Sequence, residues 1–426
     1  MTGAAAFPAI IPATALGMNK RPAPSERVVI GAIGVGDRGS HLLGEALQSP
    51  GAQVVAVCDV KRDRLDKAAD TVNRHYENQD CAAYNEHELL TEREDIDAVI
   101  VASCDHWHVL HALAAVRAGK GVYLEKPMGV TVQEDQALRD AVHKHNAVFQ
   151  FGTQQRSDKK FRQACELVRN GYIGKLHTIY VWAPPSVAGG PTEQAPVPET
   201  LDYDRWLGPA PFTPYTLERA SNKWWWHISD YAVGFIAGWG IHPVDIAFWG
   251  AGELLSAPCW IDGVGRFPTE GVCNCATDWK ITWAYDSGVT VEYRAEPAPV
   301  DWQRRFRADA GHGTAFVGDE GWVCVSRREI TSEPQSLAAM TLPDHAQRLY
   351  ESRHHVRNFV ECVREQRATV SPIDESVAAD LFCHASDIAI RAARPLRFDP
   401  QREVFPDDDA ANQRLSRPMR APWRIV

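Results

Sequence analysis

One stretch constrains this chain more than any other. Arg27 to Ile33, RVVIGAI, is a short apolar run that enters Gly34-Val-Gly36-Asp37-Arg38-Gly39 and continues as a helical pattern to Gln48. A strand that turns through glycines straight into a helix is the opening unit of a parallel sheet. The pattern then repeats. Gln53 to Cys58, Asp97 to Ala102, Gly121 to Leu124 and Ala147 to Gly152 read as apolar strands. Lys61 to Arg74, His108 to Ala118 and Val132 to His145 read as helices between them. Strands alternating with helices imply a doubly wound sheet covered on both faces, placed here at residues 26–150.

The texture changes after Gly152. Lys159 to Arg169 reads as one more helix and Lys175 to Trp182 as a strand, followed by a Pro/Gly-rich loop from Pro184 to Pro198. Further strands at Ala276 to Tyr285, Val289 to Arg294, Thr314 to Gly318 and Trp322 to Ser326 are separated by turn residues such as Asp286-Ser-Gly288. Such a run predicts a mainly antiparallel sheet in a second α/β domain, residues 151–395. Helices are expected near His354 to Glu365 and Glu375 to Ala392. The polar, Pro-rich stretch 396–426 reads as a tail packed on the surface. Residues 1–25 contain the uncharged run AAAFPAIIPATALG, which resembles the back half of an export leader; a disordered tail is the alternative. The run is too short to span a bilayer, and no other segment has membrane-spanning character.

Composition narrows the classes of function. Of 426 residues, 45% are hydrophobic and 23% charged, the balance of a globular protein with a large core. A net charge of −10 with no basic run speaks against nucleic acid as a partner. The ten cysteines are scattered, and Cys273-x-Cys275 lacks zinc spacing, so neither a metal nor a disulfide framework is expected. The 14 tryptophans suit either sugar rings or a core.

The glycine turn points to a dinucleotide. Gly34 permits the tight turn, Gly36 lets the backbone approach a pyrophosphate, and Gly39 lets helix and strand pack closely. The helix that opens at Asp37 and Arg38 offers free N–H groups to the phosphates. Asp59 closes the second strand 20 residues after Gly39, where an acid accepts from a ribose diol and repels a 2′-phosphate. That favours NAD over NADP, although Lys61 and Arg62 weaken the preference; Asp59 as a simple helix cap is the alternative.

The segment VIVASCDHWHVLHALAAVRAGKGVYLEKPMGVTVQE carries a wider resemblance. With its Glu125-Lys126-Pro127, it resembles the Gfo/Idh/MocA oxidoreductases, named for glucose–fructose oxidoreductase and inositol dehydrogenase. Gly152-Thr-Gln-Gln-Arg156, Tyr203-Asp-Arg-Trp-Leu-Gly-Pro209, Trp239-Gly-Ile-His242-Pro-Val-Asp245 and Ser416-Arg-Pro-Met-Arg-Ala-Pro422 extend it over nearly the whole chain. The last three are similar to a branch common in polysaccharide-degrading bacteria, often with export leaders. The resemblance implies an N-terminal Rossmann domain and a C-terminal domain whose open sheet face joins dimers or tetramers. It implies hydride transfer between nicotinamide and a sugar carbinol, with Lys126 at the reacting hydroxyl and His242 as general base. Ser103, His106, Trp107, His108, Glu125 and Gln154 would then border the cofactor.

Residue chemistry is compatible with those roles. An ammonium at Lys126 would hold the substrate oxygen and lower the hydroxyl's pKa. Imidazole titrates near neutrality, and Asp245, three residues on, is placed to orient His242. The chain departs from the family at Gly238, where many members carry a second acid; Asp230, just upstream, is the candidate substitute. Trp226, from Trp224-Trp225-Trp226, is the candidate sugar platform, since three consecutive aromatics cannot all face one way. Arg156 would either clamp a hydroxyl pair or carboxylate of the substrate, or form a structural salt bridge. A redox-neutral glycosidase or lyase with tightly retained NAD is the second reading, and a non-enzymatic sensor of nucleotide or sugar the third. A leader would mean a periplasmic protein, and favours the second, because free NAD is scarce outside the cytoplasm.

Overall fold

The computed structural model describes residues 23, 26–295, 300–308 and 311–425. Apart from Ala23, the stretch read as a leader or tail lies outside the described residues. No helix among them is long and apolar enough to cross a membrane.

The first sheet is built from β1 (Val28–Ile33), β2 (Ala52–Cys58), β3 (Ala82–Tyr84), β4 (Ala98–Val101), β5 (Gly121–Leu124) and β6 (Phe149–Phe151). All pairings are parallel, in the order β3-β2-β1-β4-β5-β6. The connecting helices are α1 (Asp37–Gln48), α2 (Arg62–Tyr76), α3 (His87–Thr91), α4 (Asp105–Arg117) and α5 (Val132–His145). The order reverses between β1 and β4, so the strands' carboxyl ends open a crevice there. β4 and β5 are buried at every position, as strands covered on both faces must be.

The chain passes through α6 (Lys159–Arg169) into β7 (Leu176–Ala183), then α7 (Tyr203–Leu207), α8 (Phe235–Gly238) and α9 (Ile241–Ala251). Next come β8 (Cys259–Arg266), β9 (Asp278–Tyr285), β10 (Thr290–Ala295), α10 (Val300–Phe306), β11 (Gly313–Gly318), β12 (Gly321–Val325) and β13 (Ile330–Glu333). The chain closes with α11 (His355–Glu365), α12 (Ile373–Ala392) and β14 (Leu396–Phe398). The second sheet has eight strands in the order β13-β12-β11-β7-β10-β9-β8-β14. Only β7 and β10 pair in parallel; the other pairings are antiparallel. Alternation is strict in β9 and β10: Trp279, Ile281, Trp283, Val291 and Tyr293 turn into the core. The opposite face is open, with Trp260 and Val264 of β8 exposed.

The stretch read from Pro395 as a surface tail begins inside this sheet. Leu396 and Phe398 are fully buried where β14 pairs with β8. A three-residue strand carries too short an alternation to be read from sequence. All ten cysteines are free. Trp182, Trp279 and Trp283 are core residues, so much of the aromatic content serves packing.

Candidate functional site

The crevice forms where the carboxyl ends of β1, β2, β4 and β5 meet the loop around Trp226. Gly34 has φ +79°, and a Cβ there would meet the Ser103 backbone nitrogen at 2.4 Å. A Cβ at Gly39 would lie 1.8 Å from the Gly34 carbonyl, so only glycine lets α1 sit on the turn. At Gly36 a Cβ would meet only the flexible end of Arg64, which leaves this stretch of backbone approachable. Gly36 caps α1 without a side-chain hydrogen bond. This cradle fits a diphosphate at a helix N-terminus.

Asp59 faces the same crevice. Its carboxylate accepts from the backbone N–H of Val35 (2.9 Å) and Lys61 (2.8 Å), tying β2 to the glycine turn. Each oxygen keeps lone-pair capacity, so this bracing does not preclude a ribose diol. Burial nonetheless raises its pKa. Asp37, held by Asn222 (2.6 Å), and Arg38 complete the turn.

Glu125-Lys126-Pro127 follows β5. Burial pushes the Glu125 carboxyl up, but the nearby Arg38 and Lys126 outweigh it and hold it below its ordinary value. Arg38 donates to Glu125 at 2.8 Å, and Gln154 donates to both Glu125 and Tyr123 at 2.7 Å. Gln154 therefore supports Glu125 and is not among the crevice-lining residues. Lys126 Nζ donates to the Gly238 carbonyl at 2.6 Å and lies 5.6 Å from the Trp226 ring centroid. Burial lowers its pKa, partly offset by Glu125 and Asp105. A backbone oxygen thus meets the ammonium at the position where the sequence lacks the usual acid.

The first turn of α4 separates the residues that sequence reading grouped together. Trp107, His108 and His111 line the crevice, as does Ser103, whose hydroxyl is 3.0 Å from His111 Nδ1. His108 lies 2.6 Å from the Pro127 carbonyl and 3.1 Å from that of Ser103, bridging the two loops. His106 does not line it: successive helical residues point about 100° apart, and His106 packs on Trp206 and Tyr231 instead. Its Nε2 sits 2.9 Å from the Trp206 carbonyl.

His242, in the first turn of α9, is 4% exposed. Burial, with Lys126 and Arg327 nearby, holds it well below its ordinary pKa, so it is a neutral imidazole at pH 7. Its Nδ1 has no hydrogen-bond partner among the described residues. Asp245 does not orient it. Both Asp245 oxygens are taken by Arg156, at 2.6–3.1 Å, in a pair with side-chain exposures of 1% and 0%. Arg156 accordingly forms the structural salt bridge of the two readings, with its side chain 1% exposed. Asp230 does not line the crevice either. In the turn after the 3-10 helix Trp225–His227, Tyr231 points inward and is fully buried, leaving Asp230 half-buried beside it. Of the three tryptophans, Trp225 is buried, Trp224 carries Lys223 on its face (4.7 Å), and Trp226 turns toward Lys126.

Two features escaped the sequence. Asp105, at the start of α4, lines the crevice 2% exposed, and its Oδ2 has no hydrogen-bond partner among the described residues. Burial pushes its pKa well up, with Lys126 opposing. Asp135, Asp380 and His384 form the second, with donor atoms all within 4.8 Å of one another. Burial alone would discharge His384, but the two carboxylates outweigh it and raise it to about 10. Burial also pushes Asp135 up to about 8, and Asp380 accepts from Met128 N–H (2.9 Å), bracing the loop after Pro127.

Residues 28–153 match the profile of an oxidoreductase family with an NAD-binding Rossmann fold, and residues 173–425 match its C-terminal alpha/beta domain. A glycosyl hydrolase family 109 protein of Saccharopolyspora erythraea is 41% identical over 122 residues, 28% of this chain and 27% of that protein. Myo-inositol 2-dehydrogenase of Thermotoga maritima is 28% identical over 179 residues, 42% of this chain and 49% of that protein. The chain therefore spans about a quarter to a half of these curated relatives. The structure of scyllo-inositol dehydrogenase from Lactobacillus casei, with NAD(H) and scyllo-inositol bound, superposes with a TM-score of 0.61 at 17% identity. The match covers 87% of this chain and 99% of that one, and shows a shared fold.

Proposed function

The chain belongs to the Gfo/Idh/MocA oxidoreductase family, and from that premise we propose that it oxidises a secondary alcohol of a sugar or glycoside with NAD. The observation that carries this reading is the placement of Lys126. Its ammonium hangs between the Trp226 ring and the Gly238 carbonyl, at the edge of a crevice whose far end is the glycine turn. The nicotinamide, when bound, supplies the hydride acceptor. Lys126 donates to the carbinol oxygen and stabilises the charge that develops there. His242, neutral at pH 7, takes the hydroxyl proton. Asp105, buried in the crevice and acting on Lys126, is our candidate for the second acid in place of Asp230. Trp226 supports the sugar ring. Asp59 selects NAD by accepting from the ribose diol. We place self-association at the open face of the second sheet around Trp260 and Val264.

The likeness to a glycosyl hydrolase over 122 residues supports a second reading, in which retained NAD is reduced and re-oxidised within one turnover. Denaturing the purified protein and assaying released nicotinamide separates the two. Near-equimolar NAD(H) is the expected result of the redox-neutral enzyme, and no nucleotide that of an ordinary dehydrogenase. If added NAD(H) also fails to bind, both readings fall.

The His242 assignment predicts a pH profile. A base whose pKa is depressed stays competent on acidification until the pH falls through that lowered value. The acid limb of kcat/KM is therefore expected below pH 6.5, His242's ordinary pKa. His242→Ala should lower kcat about 10²-fold or more and flatten that limb. An unaltered limb in the variant would exclude His242 as the base.

A further inference from the structure

Beyond the crevice lining, close enough to act on both Lys126 and His242, lies a group that neither cofactor nor carbinol uses. Arg327 follows β12 in the turn Ser326–Arg328, and its guanidinium stacks on Trp239 at 4.9 Å. The same indole lies 5.5 Å from the His242 ring and 4.8 Å from the His312 ring. Gln155, its amide oriented to satisfy both neighbours, donates to the His242 carbonyl (3.1 Å) and accepts from Arg327 Nε (3.3 Å). The Arg327 backbone is tethered as well, its carbonyl accepting from Lys160 Nζ at 2.8 Å. Stacking and the Gln155 contact fix the plane of the guanidinium while its two terminal nitrogens make no hydrogen bond among the described residues. The residue remains exposed. A planar fork held in place with its outer edge free is the arrangement that receives an oxyanion bidentately.

Charge around it leads the same way. Lys126, Arg38 and Arg327 all act on His242. The carboxylate that acts on Arg327 is Glu125, already engaged by Arg38, Gln154 and the Lys126 N–H. Burial pushes the pKa of Asp105 well up, which weakens it as a counter-charge. The substrate end of the crevice therefore carries uncompensated positive charge. His312 adds a polar atom, Nε2, that is buried without a partner among the described residues.

We propose that the sugar substrate carries an anionic group, a carboxylate or a sulfate or phosphate ester, and that Arg327 stacked on Trp239 is the residue that binds it. This deepens the oxidoreductase reading and rests on it for the location of the reacting carbinol.

The test is calorimetric titration of the NAD-loaded protein with glucose, glucuronate, glucose 6-sulfate and glucose 6-phosphate, repeated on Arg327→Gln. A charge-assisted bidentate contact should make at least one charged sugar bind about 10- to 100-fold more tightly than glucose. Whichever of the three gains identifies carboxylate, sulfate or phosphate as the group. Arg327→Gln should erase that advantage and leave NAD affinity unchanged. Equal binding of charged and neutral sugars overturns the proposal, as does an advantage that survives in the variant. Weaker NAD binding in Arg327→Gln would assign the residue to the cofactor and overturn it too. Nicotinamide reduction is followed in parallel. A charged-sugar advantage without any reduction would sink the oxidoreductase reading while leaving the anion site standing.

Discussion

Lys126→Ala is expected to cut kcat by about 10³-fold while NAD affinity stays within a few-fold of the parent. The two halves of this expectation have separate structural causes. The nucleotide cradle is made by Gly34, Gly36, Gly39 and Asp59, none of which depends on the lysine side chain. The reacting hydroxyl, by contrast, would lose its one ammonium donor. That ammonium is worth most in a site where water is excluded, and the loss corresponds to about 4 kcal/mol of transition-state stabilisation. The Gly238 carbonyl, at a buried position, would also lose its donor, at a cost of about 1–3 kcal/mol in stability. Lys126→Arg should rescue little, because a planar fork cannot occupy the point donor's place between Trp226 and Gly238. Single-turnover reduction of bound NAD measures the chemical step directly. A variant within tenfold of the parent would remove Lys126 from the reaction.

How far such assignments could be read in advance depends on how local their cause is. The glycine turn was legible because one short segment contains the strand, the positive-φ glycine and the helix start. Lys126 was legible through its tripeptide and the strand before it. Asp105 was not, since an acid in the first turn of a helix ordinarily serves the helix dipole. Its burial comes from packing against the rest of the crevice, which composition does not reveal. His106 was grouped with Trp107 and His108 because the helix was read as starting at His108; in the first turn of α4, which starts at Asp105, the three diverge around an axis. Arg327 and Gln155 lie far apart in sequence and meet only through the second domain's packing. β8, with Gly263 and Gly265 diluting its alternation, went unread for lack of a local signal.

Arg156 shows the same limit at its most consequential, and its truncation should be the most destabilising single change in the molecule. Arg156 sits in the 3-10 turn Gln154–Ser157 after β6, and Asp245 lies 89 residues away on α9. Burial would discharge the guanidinium, but Asp245, with Glu375 of α12 behind it, keeps it firmly protonated. Arg156 also donates to the Val370 carbonyl at 3.3 Å. One side chain thereby joins the end of the first sheet to two helices of the second domain. Arg156→Met would leave the fully buried Asp245 without its cation, at a cost of about 3–5 kcal/mol. For a chain of this size that is roughly a 4–5 °C fall in Tm. Removing both charges is less severe, because no lone ion is left behind, so Arg156→Met/Asp245→Leu should be more stable than Arg156→Met alone. Activity tests the functional side. His242 lies one turn before Asp245 on α9, so loosening the pair should lower kcat more than it raises KM. A substrate clamp predicts the reverse: raised KM, unchanged Tm and no recovery in the double variant. That outcome would return Arg156 to the binding site despite its 1% exposure.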